Sequence, residues 1–230
     1  MPQISKEEYV RRILKFVEEH KDSYTPQELE YVYKNISNGL NYANHYDVLR
    51  QLYDEAGMND IKHNVYEGFV TLLEQNFDLN TNIIEIGGGC IPSLGKKIAL
   101  RQKKGTVTVY DPRLITNIDK PSNLILKPEL FDDNTSIGDA KLLIGYMPCE
   151  AAILLIDSAC DNKIDFMVAL CEGGTRAKHD WIESDDEWIG YVKYIALRGI
   201  ENNSLGVLGE YSLEQYNNPY PVIYNKRKKS

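Results

Sequence analysis

The run Ile83-Ile84-Glu85-Ile86-Gly87-Gly88-Gly89-Cys90-Ile91-Pro92 sets an acid, three consecutive glycines and a proline into ten residues. A short apolar strand that runs into glycines and then a helix brings bare backbone up to a ligand. Glycine tolerates unusual dihedrals, and the first turn of a helix leaves N–H groups without partners. A dinucleotide fingerprint, G-x-G-x-x-G, needs its third glycine at position 92, where Pro92 stands. Glu85 would also repel a diphosphate; an acid at that place suits a ligand presenting an ammonium group. Asp111 closes a second apolar run, Val107-Thr108-Val109-Tyr110-Asp111-Pro112. It follows by one strand–helix–strand unit, the separation of a carboxylate that accepts both hydroxyls of a ribose.

A glycine-rich turn also arises from close packing alone, and an acid that ends a strand also serves as a helix cap. Together and in this order, however, one acid for an amine and one for a ribose describe S-adenosylmethionine better than NAD.

These residues need a frame. The period of apolar residues changes at about residue 81. Before it, four amphipathic helices are expected. Ser5 and Glu8 make a capping box ahead of Tyr9, Val10, Ile13, Leu14 and Val17. Thr25-Pro26-Gln27-Glu28 starts a second helix that stops at Asn38-Gly39, and further helices run over 42–57 and 60–77. After it, strands are expected at 82–86, 106–110, 123–126, 140–145, 164–170, 205–211 and 221–225, and helices at 92–103, 149–160 and 187–198, the last ended by Gly199. Strands alternating with helices imply an α/β fold: a Rossmann-like, mostly parallel sheet with helices on both faces. The last two strands, with no helix between them, are placed to pair antiparallel at an edge. Residues 1–80 form a helical N-terminal appendage (lid, substrate wall or dimerisation surface), and residues 81–230 the cofactor-binding core.

Over residues 80–225 the chain resembles the class I S-adenosylmethionine-dependent methyltransferases. Glu85, Gly87 and Gly89 match the family's acid followed by G-x-G, with Ile91 in place of its later glycine, and Asp111 matches the acid that binds ribose. The resemblance implies a cofactor set of Glu85, Gly87, Gly88, Gly89, Asp111, Pro112 and Gly145. In Phe131-Asp132-Asp133-Asn134 it implies that Asp132 or Asp133 meets the adenine amino group beside Phe131, although a solvated loop reads equally well. The catalytic loop is then Ile144-Gly145-Tyr146-Met147-Pro148-Cys149-Glu150. In-line methyl transfer needs alignment and a dry site, and a base only if the acceptor must lose a proton. Tyr146 could orient an acceptor and Glu150 accept its proton. Pro148-Cys149 resembles the nucleophile pair of cytosine-C5 methyltransferases, but the chain lacks their target-recognition region, and cysteine commonly serves as a small buried residue. The run Gly89-Cys90-Ile91-Pro92-Ser93-Leu94 weakly resembles the turn of nicotianamine synthase-like enzymes, which use the same cofactor to transfer an aminocarboxypropyl group. A cofactor-binding module that acts through protein contacts is a third reading.

Composition narrows the class further. The chain has 230 residues, 26 Lys+Arg against 34 Asp+Glu and a net charge of −8, so it lacks the bulk basic charge of a nucleic-acid binder. Residues 1–80 carry 8 basic and 14 acidic side chains, so most of the acidity lies in the expected appendage and tilts the acceptor toward a small molecule. Basic clusters at Lys96, Lys97, Arg101, Lys103 and Lys104 and at Lys226–Lys229 keep nucleic acid open as a partner. No membrane-spanning run or leader is visible, and the four cysteines form no C-x-x-C pair. A cytoplasmic location, no metal, no disulfide framework and a homodimer among the arrangements open to the chain are the corresponding expectations.

Overall fold

Period-two burial in the strands determines the layers. Ile83, Leu142, Ile144, Met167 and Ala169 share one apolar cluster, while Ile84, Ile86, Leu143, Phe166 and Val168 share another. Successive side chains of a strand point to opposite faces, so these are the two sides of one sheet. The computed structural model describes residues 65–89, 92–114, 116, 118, 120–149, 151–171, 182–213 and 218–227, with scattered positions between 11 and 33. Its elements are α1 (Val65–Asn76), β1 (Ile83–Ile86), α2 (Ser93–Arg101), β2 (Val107–Tyr110), β3 (Leu124–Lys127), β4 (Leu142–Tyr146), α3 (Ala151–Asp161), β5 (Asp165–Ala169), α4 (Asp185–Asn203), β6 (Val207–Leu213) and β7 (Asn218–Lys226).

The seven strands lie in the order β3-β2-β1-β4-β5-β7-β6. β1 pairs parallel with β2 and β4, β2 with β3, and β4 with β5, while β7 runs antiparallel to both β5 and β6. One face is covered by α1 and α2 and the other by α3 and α4. This is a Rossmann-like α/β sheet, and the closing hairpin is antiparallel with β6 at the edge.

Helix α1 falls in the segment expected as an appendage, yet Tyr66, Phe69, Val70, Leu72 and Leu73 are buried in the same cluster as β1, β2 and β4. Glu67 fixes it to α2, pairing with Lys97 at 3.3 Å and with Arg101. Part of the basic cluster on α2 therefore serves helix docking. Of the earlier expected helices, described positions 11, 14, 15, 17–19, 26, 29 and 33 are helical. Ser5, Glu8 and residues 42–57 lie outside the described residues.

Two expectations need correction. Gly199 does not end the last helix, which continues to Asn203; a Cβ at Gly199 would stand 2.6 Å from Cys160 Sγ, so the glycine admits α3 against α4. The start also shifts, to a capping box in which Ser184 accepts from the Glu187 N–H and Glu187 accepts from that of Ser184. The pattern assigns no helix between β3 and β4, and the crossover there carries none. Residues 128–141, between β3 and β4, are irregular, because Asp132 ties its own turn by accepting from the Asn134 N–H and the Thr135 hydroxyl, each at 2.9 Å. The sheet face left without a helix there opens a cavity of about 200 Å³ beside Ile84, Thr108, Tyr110 and Ile125.

Candidate active site

In a parallel sheet, ligands collect beyond the carboxyl ends of the strands, where the chain turns back into helices. The glycine turn and Asp111 meet at such a place. β1 and β2 run parallel with Ile86 opposite Tyr110, so Asp111 emerges beside Gly87. The Gly87 N–H continues the ladder to the Tyr110 carbonyl at 2.8 Å. Gly87 and Gly89 adopt φ of 77° and 74°, in the left-handed region that favours glycine. Their backbone turns the Gly89 N–H onto Asp111 Oδ2 at 3.0 Å.

Asp111 is only 3% exposed and fully engaged. Oδ1 accepts from the Arg113 N–H at 2.8 Å and from Arg113 Nε at 3.0 Å; Oδ2 accepts from Gly89 and from Arg113 Nη2 at 2.9 Å. Burial opposes the charge, but the Arg113 side chain and the Arg113 and Gly89 N–H groups outweigh it and hold the carboxyl below its usual range. Each oxygen thus keeps one backbone donor and one guanidinium donor. If the half-exposed Arg113 side chain withdraws, one acceptor position opens on each oxygen, the pattern that a vicinal diol requires.

Glu85 is the opposite case. It shares the α2 face of the sheet with Ile83 and lies beneath the turn, 2% exposed, and its Oε2 has no hydrogen-bond partner. Burial pushes its pKa up to about 8, against the Gly95 N–H that favours the charge, and nearby Asp111 raises it further. A buried acid with an unpartnered oxygen fits a cationic group arriving from outside the chain. Space for this carboxyl comes from α2: a Cβ on Gly95 would stand 2.6 Å from Oε2 and 2.6 Å from Val109 Cγ2. Gly88 is likewise dictated by packing, since its Cβ would meet Val109 Cγ1 at 2.3 Å.

On the other side of β1, β4 ends at Tyr146, buried with its ring edge-on to Tyr66 at 5.1 Å and to Phe69 at 5.7 Å. α1 therefore reaches the ligand end of the sheet. Met147 and Cys149 follow with φ of 52° and 47°, a conformation costly for residues with a Cβ and concentrated at functional turns. Gly145 is explained by packing, because its Cβ would meet Pro148 Cγ at 2.8 Å and Leu155 Cδ1 at 2.9 Å. Glu150, Cys90 and Ile91 lie outside the described residues. Pro112, beside Asp111, is exposed. Asp132 and Asp133 are exposed too, with Asp132 engaged in its own turn, while Phe131 is buried edge-on against Tyr110 at 5.4 Å.

Sequence reasoning missed Arg113 and Gly95. A glycine inside a nine-residue helix, at a cost of about 1 kcal/mol relative to alanine, was the available signal for Gly95. Nothing in the spacing of Asp111-Pro112-Arg113 announced the clamp.

The strand order and the single reversed strand β7 make a Rossmann-like α/β fold, the fold that the resemblance to the class I S-adenosylmethionine-dependent methyltransferases implies. No protein-family model matches the sequence, and no curated protein matches it. Solved structures similar to this chain include human N-acetylserotonin methyltransferase in complex with S-adenosylmethionine (11% identity, 96% of this chain and 69% of that one, TM-score 0.46). Others are precorrin-6y C5,15-methyltransferase from Geobacter metallireducens GS-15 (12%, 71% and 88%, 0.46) and magnesium protoporphyrin IX methyltransferase from Synechocystis PCC 6803 with bound S-adenosylhomocysteine (12%, 82% and 88%, 0.45). Among the described residues no cluster of three or more metal-ligating side chains occurs, and no helix is long and apolar enough to cross a membrane.

Proposed function

We propose that the chain is an S-adenosylmethionine-dependent methyltransferase acting on a small-molecule acceptor. The observation that carries this reading is the pair of buried acids on β1 and β2: Asp111, bonded to the Gly89 N–H of the turn, and Glu85, beneath that turn with an unpartnered oxygen. Asp111 accepts the ribose hydroxyls once Arg113 yields, and the Gly89 N–H holds its carboxylate in place. Glu85 receives the ammonium of the methionyl part, while Gly87 and Gly88 supply the bare turn between the two acids. When bound, the cofactor supplies an electrophilic methyl group on a sulfonium centre. Tyr146, fixed by Tyr66 and Phe69, lines the acceptor side and helps to keep it dry. Glu150 is the general base if the acceptor must lose a proton, and Asp132 or Asp133 reaches the adenine edge. The acidity of residues 1–80 disfavours long polyanions as acceptors.

Product analysis tests the reaction. Incubation with S-adenosylmethionine and pooled small-molecule acceptors should yield S-adenosylhomocysteine. Methylthioadenosine in its place would assign an aminocarboxypropyl transfer, and cofactor binding with no product from any acceptor pool would assign a non-catalytic module.

A further inference from the structure

Two thiols meet at the carboxyl ends of neighbouring strands. β4 and β5 pair in parallel with Tyr146 opposite Ala169, so the chain past each strand leaves the sheet at the same level. Cys149 and Cys171 follow within a few residues, and their sulfurs stand 3.4 Å apart. Cys149 is exposed, whereas Cys171 is buried behind it. Cys149 also occupies left-handed backbone, at φ 47°, two residues after Met147 does the same, so surrounding structure holds this thiol where it is. Cys160 provides the contrast. It is buried between α3 and α4, and burial together with the charges of Asp157 and Asp161 pushes its thiol up to about 12, which makes it inert.

We propose that Cys149 and Cys171 form a redox-active dithiol, a modification site that low-molecular-weight disulfides convert to an intramolecular disulfide joining the β4 and β5 ends. The chemistry is two thiol–disulfide exchanges. The Cys149 thiolate attacks one sulfur of the small disulfide RS–SR; a Cys149–SR bond forms, the S–S bond breaks and RS⁻ leaves. The Cys171 thiolate then attacks Cys149 Sγ, forming the Cys149–Cys171 bond and expelling the second RS⁻. The two protein thiols are oxidised, RS–SR is reduced to two RSH, and the protons lost by the cysteines are those the leaving thiolates gain. Exposure of Cys149 makes it the thiol that attacks the small disulfide, and Cys171 resolves the mixed disulfide from behind. In a reducing compartment such a bond is transient, as expected of a sensor rather than a structural bridge. It would pin the loop that follows Tyr146 to the end of β5.

The full reduced chain, treated with oxidised glutathione and read by intact mass and peptide mapping, tests this. The accessible thiol count of the denatured product should fall from four to two, with a cross-linked peptide pair containing Cys149 and Cys171 and no lasting glutathione adduct. Cys171→Ser should instead accumulate a stable adduct on Cys149, and Cys160→Ser should behave as the wild type. A wild-type chain that keeps a stable adduct on Cys149, that links Cys149 to another cysteine, or that retains all four thiols would overturn the proposal without need of any variant.

Discussion

Asp111 and Glu85 flank one glycine turn, and both are almost wholly buried, yet their surroundings differ in sign. Every acceptor position of Asp111 is filled, by the Gly89 N–H and by Arg113 through three nitrogens, so the carboxylate is charged and held in place before any ligand arrives. Glu85 lies a strand away, facing apolar β2 and the small residues of α2, with one oxygen unpartnered and a pKa of about 8. Burial alone penalises both; the partners decide the outcome. In the proposed cofactor site, the first acid works as a fixed acceptor that must release a competitor. The second waits in neutral form for a cation.

The largest expected effect falls on the fixed acceptor. Asp111→Ala removes the two charge-assisted hydrogen bonds proposed to ribose, each worth about 1.5–3 kcal/mol. Affinity for S-adenosylhomocysteine should therefore drop by about 10²-fold or more in a calorimetric titration, with circular dichroism showing a retained fold.

The two acids should also give opposite pH slopes. Glu85 is raised on folding from its ordinary 4.5 to about 8, so its native form holds a proton that the unfolded chain has lost. Its contribution is fully present below pH 4.5 and is lost as pH rises toward 8, by up to about 1.4 kcal/mol per unit. Asp111, depressed on folding, contributes stability above its ordinary value of 3.8 and loses it as pH falls below that value. Thermal melts of Glu85→Gln between pH 5 and 8 should lack most of the wild-type decline; an unchanged slope would show that Glu85 is ionised in the folded chain.

Gly95→Ala probes the same pocket from α2. Its Cβ would stand 2.6 Å from both Glu85 Oε2 and Val109 Cγ2, an overpacking worth about 1–3 kcal/mol of stability in denaturant unfolding. The smallest effect belongs to the competitor. Arg113→Met leaves the residue-113 N–H on Asp111 and removes the half-exposed guanidinium, whose pairing with the buried carboxylate, discounted for solvent screening, is worth about 0.2–1 kcal/mol. S-adenosylhomocysteine should then bind about 1.4- to 5-fold more tightly; weaker binding would make Arg113 a support and not a rival.

Most of the sheet is legible in the sequence because its strands are short apolar runs set between turn-forming residues, as in Ile83–Ile86 between Asn82 and Gly87 and Asp165–Ala169 after Asn162. Glu85 and Asp111 stand out for the same reason: an acid in such a run is conspicuous. What stays hidden depends on contacts distant in sequence. Gly199 looks like a helix stop until Cys160 of α3 is seen to fill the place of its side chain. α1 reads as part of an appendage because amphipathicity shows that a helix packs, without showing that Tyr66 and Phe69 pack on Tyr146. The meeting of Cys149 with Cys171 follows from the register of β4 against β5, which no local pattern encodes.

The central claim is that Glu85 and Asp111 together hold the cofactor, and proton-linked calorimetry tests it most directly. S-adenosylhomocysteine would be titrated into the wild-type chain at pH 7 in two buffers of different ionisation heat. A ligand ammonium seated on Glu85 lowers that group's pKa, so binding should release about one proton, and Glu85→Gln should abolish the release. Absence of binding would contradict the cofactor reading, and binding with no proton released would remove Glu85 from the site.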